Sequence, residues 1–357
     1  QIADTDWKAE ILNAKEEELA DRLKKIKLNF IGHSMGCFVV TNAVRVLSDV
    51  FDLRAVEGIP TSEIGRVFCL GRLVLVAPDI PVETIMPRRA NFLRSSLLRC
   101  EEAYVFCNEG DLALRLASTA ANYFSFPAKT RSSGYRLGNV TARRFEDKND
   151  RKNRLVKDED YGIVNLKDGV VESPFDWLEI RASDQEHQLL NEVRNRSTIK
   201  TEDPEKLIAQ APVSDLFTYF DCTDYLDHQS HDPSVEGQGT TAGVVSFAVK
   251  KSALTLSDYV GLSLAFFFSK PRYINVHGGY FDGVFSQQAM YRIAFTGFNE
   301  FLRSLAPADK FAHLSFQEIP VESRKALLES LSAKCRETKI QVVLAPVRYQ
   351  KNILGES

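Results

Sequence analysis

The chain has 357 residues, of which 44% are hydrophobic and 26% charged, the make-up of a folded protein with one large domain or two modest ones; this excludes disorder throughout. A formal net charge of -3 shows no basic excess of the kind that holds a polyanion, so no nucleic acid is expected as partner. Six scattered cysteines, at 37, 69, 100, 107, 222 and 335, form no CxxC pair or compact framework. They read as reduced thiols of an intracellular, cytoplasmic protein, with no metal site.

The chain opens at Gln1 on a helical pattern, with Trp7, Ile11, Leu12, Leu19, Leu23 and Ile26 apolar and charges between, and reads as the later part of a longer protein. Next comes a short apolar run, Leu28-Asn29-Phe30-Ile31, which ends at Gly32 and is followed by an uninterrupted helical stretch from Cys37 to Val50. Two more apolar runs follow, Leu73-Val74-Leu75-Val76-Ala77 before Pro78-Asp79, and Ala103-Tyr104-Val105-Phe106-Cys107 before Asn108-Glu109-Gly110-Asp111. Runs of this kind suit strands buried on both faces of a parallel sheet flanked by helices.

A polar interval from about 129 to 212, dense in alternating charge, reads as a large charged insertion on the surface. Leu216 to Cys222 predicts a fourth strand, and a Gly/Ser/Asp-rich stretch from His228 to Gly243 follows it. The longest apolar stretch, Tyr259 to Phe268, is ten residues, short of the roughly 20 that a membrane helix needs, so no transmembrane segment is expected. A glycine turn at His277-Gly278-Gly279 precedes a helical run from Gln287 to Leu305, and the last fifty residues predict one helix, Glu322 to Glu337, and one strand, Ile340 to Leu344.

Gly32-His33-Ser34-Met35-Gly36 is a Gly-x-Ser-x-Gly motif set between a predicted strand and a predicted helix. A serine hydroxyl is a weak nucleophile and reacts only when presented clear of its backbone, beside a base and beside oxyanion donors. A strand-to-helix turn supplies that presentation. The glycines two before and two after let it close, the backbone N–H of Met35 points toward the oxyanion, and the helix adds its positive end. No GxGxxG or GxxxxGK[ST] phosphate loop is present, and no cofactor is implied.

In its order of elements the chain resembles the α/β-hydrolase superfamily. More narrowly, the elbow, Val76-Ala77-Pro78-Asp79, Asn108 to Leu114, Phe220-Asp221-Cys222-Thr223 and His277-Gly278-Gly279-Tyr280-Phe281 resemble successive blocks of a mostly bacterial hydrolase family of unknown function, over roughly residues 20 to 300 with long insertions. The resemblance implies an α/β fold with a mostly parallel sheet flanked by helices. It leaves the N-terminal strands of that fold missing here, since only about four strands are legible from the elbow onward. The expected organisation is a hydrolase domain over 1–305, with insertions about 129–212 and 229–272, and a C-terminal extension over 306–357.

The acid of a catalytic triad stands just past a strand end, where it can reach the imidazole. Asp111 fits best and occupies the acid position that the resemblance implies; Asp79 is the rival, with a turn-capping role after Pro78 as its ordinary alternative. For the base, the order Ser, Asp, His leaves candidates beyond Asp111. His277 matches the family's block, whereas His228 and His231 follow the fourth strand closely, where a shorter hydrolase places its catalytic loop. His187 lies in the polar interval, and His313 reads as structural. The aromatic runs Phe266-Phe267-Phe268 and Tyr123-Phe124 with Phe126 read as core rather than acyl pocket.

Two functions follow as expectations. One is a serine hydrolase that cleaves an ester, thioester or related acyl bond of a small acyl or lipid-like substrate through an acyl-enzyme on Ser34. The other is a catalytically silent hydrolase-like module that binds a protein partner through its insertions.

Overall fold

The computed structural model describes residues 28–51, 70–85, 91–111, 113–114, 136–144, 162–165, 178–180, 188–189, 192–193, 213–223, 225–227, 239–240, 260, 276–306, 311 and 314–345. The N-terminal helical pattern, the aromatic runs at 123–126 and 266–268, Cys69, His187, His228, His231 and His313 lie outside the described residues.

In chain order the elements are β1 (Phe30–His33), α1 (Met35–Phe51), β2 (Leu70–Val76), α2 (Asn91–Leu98), β3 (Cys100–Cys107), β4 (Thr141–Arg144), β5 (Gly162–Asn165), β6 (Leu178–Ile180), β7 (Gln188–Leu189), β8 (Glu192–Val193), β9 (Thr218–Asp221), β10 (Leu226–Asp227), β11 (Gly239–Thr240), α3 (Val284–Thr296), α4 (Phe298–Leu305), α5 (Val321–Thr338) and β12 (Gln341–Leu344). Six strands form the central sheet in the order β1-β2-β3-β9-β12-β6. The first four are mutually parallel; β12 runs antiparallel to β9, and β6 is parallel to β12.

Side chains leave a strand alternately to its two faces, and this sheet buries both. Leu73, Leu75, Val105 and Tyr219 face a core shared with Cys37 and Val44 of α1 and Leu93 and Leu97 of α2. Val74, Val76, Tyr104, Phe106 and Phe220 face a second core with Met290 and Ile293 of α3, Phe301 of α4, and Leu327 and Leu331 of α5. Double burial is why these strands read as unbroken apolar runs. The result is a mostly parallel sheet between two helical layers, an α/β-hydrolase-like fold.

Three features differ from the sequence expectation. The interval 129–212 supplies a strand of the central sheet, Leu178–Ile180, which three residues amid charge could not signal by periodicity. Residues 306–357, expected as an extension, give β12 to that sheet and α5 to the second core. The helical run from 287 to 305 is two helices, broken at Gly297 with φ 93°. The positive φ is what requires glycine there; a Cβ at Gly297 would also stand 2.7 Å from the Arg72 guanidinium, which would have to shift.

Among the described residues, strand β1 stands at one edge of the sheet. Beside it the first turns of α1 expose apolar surface, with Met35 67% and Val39 62% accessible. No described helix is long and apolar enough to cross a membrane.

Candidate active site

The parallel strands β1, β2 and β3 end at the same level, so the loops that follow them share one edge of the sheet. Ser34 comes directly after β1 and has φ 56°, a left-handed conformation that turns the chain sharply from strand to helix. Its N–H donates to Val76 O at 3.0 Å, continuing the β1–β2 ladder by one residue. Its carbonyl then accepts from Cys37 N and from Asp79 N, each at 3.1 Å. The turn is thereby locked to the helix behind it and to the loop after β2.

The two elbow glycines differ in what they do. A Cβ at Gly32 would lie 2.8 Å from Cys37 Cα, so α1 can start where it does only because residue 32 has no side chain. At Gly36 a Cβ would meet nothing within 4 Å. Cys37, next to the elbow, is no rival nucleophile: burial pushes its thiol up to about 12, leaving it protonated.

Asp111 is fully buried in the loop after β3, and every part of that loop is held. Asn108 N donates to Gly138 O at 2.9 Å, Asn108 Nδ2 to Cys222 O at 2.9 Å, and Glu109 N to Thr223 Oγ1 at 3.1 Å. Asn108 Oδ1 accepts from Gly110 N at 2.7 Å, an Asx turn that brings Asp111 N back to Asn108 O at 3.1 Å. Asn139 Nδ2 donates to Asp111 O at 3.0 Å. Of the carboxylate, Oδ1 accepts from Leu114 N at 3.2 Å and Oδ2 lies 2.7 Å from His277 Nδ1.

His277 precedes the short turn Gly279–Phe281 and helix α3. Its side chain is 23% accessible. Burial lowers the affinity of the imidazole for a proton, but the hydrogen bond that it donates to Asp111, the Asp111 charge and that of Asp79 together outweigh it, and the pKa stands above the ordinary histidine value. The helix behind His277 is anchored in turn. Asp227 Oδ2 accepts from Phe285 N at 2.6 Å at the start of α3, and from Tyr225 Oη at 2.8 Å.

Among the sequence candidates, then, the structure brings Asp111 and His277 into contact and places Ser34 and Met35 at the elbow. Asp79 makes no hydrogen bond to His277 and pairs with Arg136: its Oδ1 is 2.9 Å from Arg136 Nε, at an angle too poor for a hydrogen bond, so the two form an ion pair while the Asp79 backbone braces Ser34. His228 and His231 lie outside the described residues. Among the described residues no cluster of three or more His, Cys, Asp or Glu could hold a metal ion.

Several contributors had no signal in the sequence. His33 Nε2 lies 2.9 Å from the His277 carbonyl oxygen. Asn139 supports the acid loop from a turn 28 residues on. Asp221, at the end of β9, accepts from Thr141 Oγ1 at 2.8 Å, from Ala142 N at 2.7 Å and from Thr223 N at 2.9 Å; burial raises its pKa against these donors. Only the Asx turn could have been found, from an asparagine two residues ahead of a glycine after a strand.

Residues 6–148 match a family described as an alpha/beta hydrolase of unknown function (DUF900), a stretch that carries Ser34, Asp79 and Asp111 and ends before His277. No curated protein and no solved structure matches the chain. On the matched stretch and the mostly parallel, helix-flanked sheet together, the chain is similar to these alpha/beta hydrolases in fold, and the match supports a hydrolase in the general sense.

Proposed function

We propose that this protein is a serine hydrolase that cleaves an ester, thioester or related acyl bond through an acyl-enzyme on Ser34. The observation that carries the reading is the 2.7 Å contact of His277 Nδ1 with the buried Asp111 carboxylate, made in a turn packed against the residue before Ser34. A carboxylate on Nδ1 fixes the tautomer with its proton there and leaves Nε2 as the basic nitrogen. Ser34 Oγ attacks the acyl carbon while its proton passes to His277 Nε2. The carbonyl oxygen gathers negative charge against the Met35 N–H at the start of α1. Collapse expels the leaving group with the proton from His277, and water, deprotonated by the same nitrogen, releases the acid and restores Ser34.

The competing reading is a silent module for a partner protein. It draws on the apolar surface that α1 exposes at Met35, Val39 and Val46 beside the edge strand. Labelling with a fluorophosphonate separates the two. The hydrolase reading expects covalent labelling of the folded wild-type protein and none in Ser34→Ala of equal thermal stability. A folded wild type that stays unlabelled leaves the binding module.

A further inference from the structure

We infer that His33 is a positioning residue that pins the backbone of the His277 turn to the nucleophile elbow, so that the base stays within reach of Ser34. This rests on the serine-hydrolase reading and adds a residue to it.

Three contacts join His33 to the segment 277–281. A carbonyl oxygen only accepts, so the 2.9 Å approach of Nε2 to His277 O requires the His33 proton on Nε2. The two imidazoles lie 4.7 Å apart between centroids, tilted by 43°. The ring of Phe281 meets His33 edge-on at 5.2 Å and 86°.

The need for such a tether follows from what Asp111 does not fix. One hydrogen bond to Nδ1 leaves the imidazole free to pivot about the Nδ1–Oδ2 axis, carrying Nε2 along an arc. The turn that bears His277 is separated in sequence from both the elbow and the acid loop. A second anchor at the carbonyl of His277 itself restrains the backbone from which the ring hangs and so narrows that arc. Because His33 ends β1 and Ser34 follows it, the anchor is referenced to the nucleophile rather than to a distant part of the fold.

The test compares rates of fluorophosphonate labelling, with p-nitrophenyl acetate turnover as a second reading, in the full chain carrying His33→Leu, His33→Gln or His33→Asn. Gln places an amide nitrogen about where imidazole Nε2 stands; Asn is one methylene too short; Leu has no donor. A displacement near 1 Å costs about 100-fold in rate, so the expectation is a loss of that order for Leu and Asn, in kcat rather than KM. Gln should recover to within roughly fivefold of wild type, a rescue that loss of packing alone would not give. Wild-type rates in His33→Leu, or a His33→Gln as slow as Leu or Asn, overturn the tether while Ser34 labelling still upholds the hydrolase. Should His33→Leu fail to fold, the Gln and Asn pair decides by the same criterion. An unlabelled wild type overturns both readings together.

Discussion

The two sides of the candidate site are built to different standards. On the acid side, Asp111 sits in the interior of the sheet, where β3 has neighbours on both edges, and its loop is held by Gly138, Asn139, Cys222 and Thr223 from two other segments. On the elbow side, Ser34 follows the strand that is outermost among the described residues, Gly36 looks into open space, and the His277 turn reaches the elbow through His33. On the serine-hydrolase reading, the group that only orients is placed where the fold is saturated, and the group that would meet a substrate is placed at the rim. The elbow is held by backbone hydrogen bonds to the loop after β2 and by the His33 contacts to the His277 turn, whereas the acid loop is held by side chains and backbone of two other segments.

The largest test of this contrast is Asp111→Asn. It keeps the shape of the buried loop but removes the charge and the tautomer control, so labelling should fall on the order of 10³–10⁴-fold. The base works neutral, so in wild type labelling rises with pH through the pKa of His277, with its midpoint above the ordinary histidine value because Asp111 outweighs burial. Without the Asp111 charge, burial dominates and the midpoint moves to lower pH; rate–pH profiles of both proteins check the direction. Gly32→Ala comes next. Its methyl must displace the Cys37 backbone, so urea unfolding should show a loss of about 1–3 kcal/mol and labelling should slow with the distorted turn. Asn139→Ala removes a donor to the Asp111 carbonyl, with about 1 kcal/mol lost but a labelling rate largely kept, because the acid side has other supports. A larger loss of rate there than in the His33→Leu variant would break the comparison. The smallest effect belongs to Gly36→Ala, expected within about 0.5 kcal/mol of wild type in the same unfolding measurement, since the space beside it is empty.

What was legible in the sequence follows the range of the constraint. The elbow could be read because Gly32, Ser34 and the strand and helix around them act within a few residues. Strands β2 and β3 could be read because burial on two faces leaves unbroken apolar runs. Asp111 was accessible as the polar residue past a strand end, but its pairing was not: His277, 166 residues away, was marked by its glycine turn ahead of a helical run and by the resemblance, which left His228 and His231 open beside it. His33 occupied a position where the motif admits any residue, and its role exists only once the chain returns 244 residues later. The two-helix break was signalled by Gly297 itself, although Arg72, which fills the space of its side chain, was not. Strand β6 was hidden because three residues carry no period.

The backbone at Ser34 has one more implication. A left-handed φ costs a residue with a side chain about 1–2 kcal/mol, and glycine almost nothing. On the serine-hydrolase reading, stability and chemistry therefore pull in opposite directions at this single position, with glycine expected to give a more stable protein that no fluorophosphonate labels. A population of variants chosen for heat resistance alone is drawn to give up the serine, so a screen that improves this fold has to keep the hydroxyl under selection.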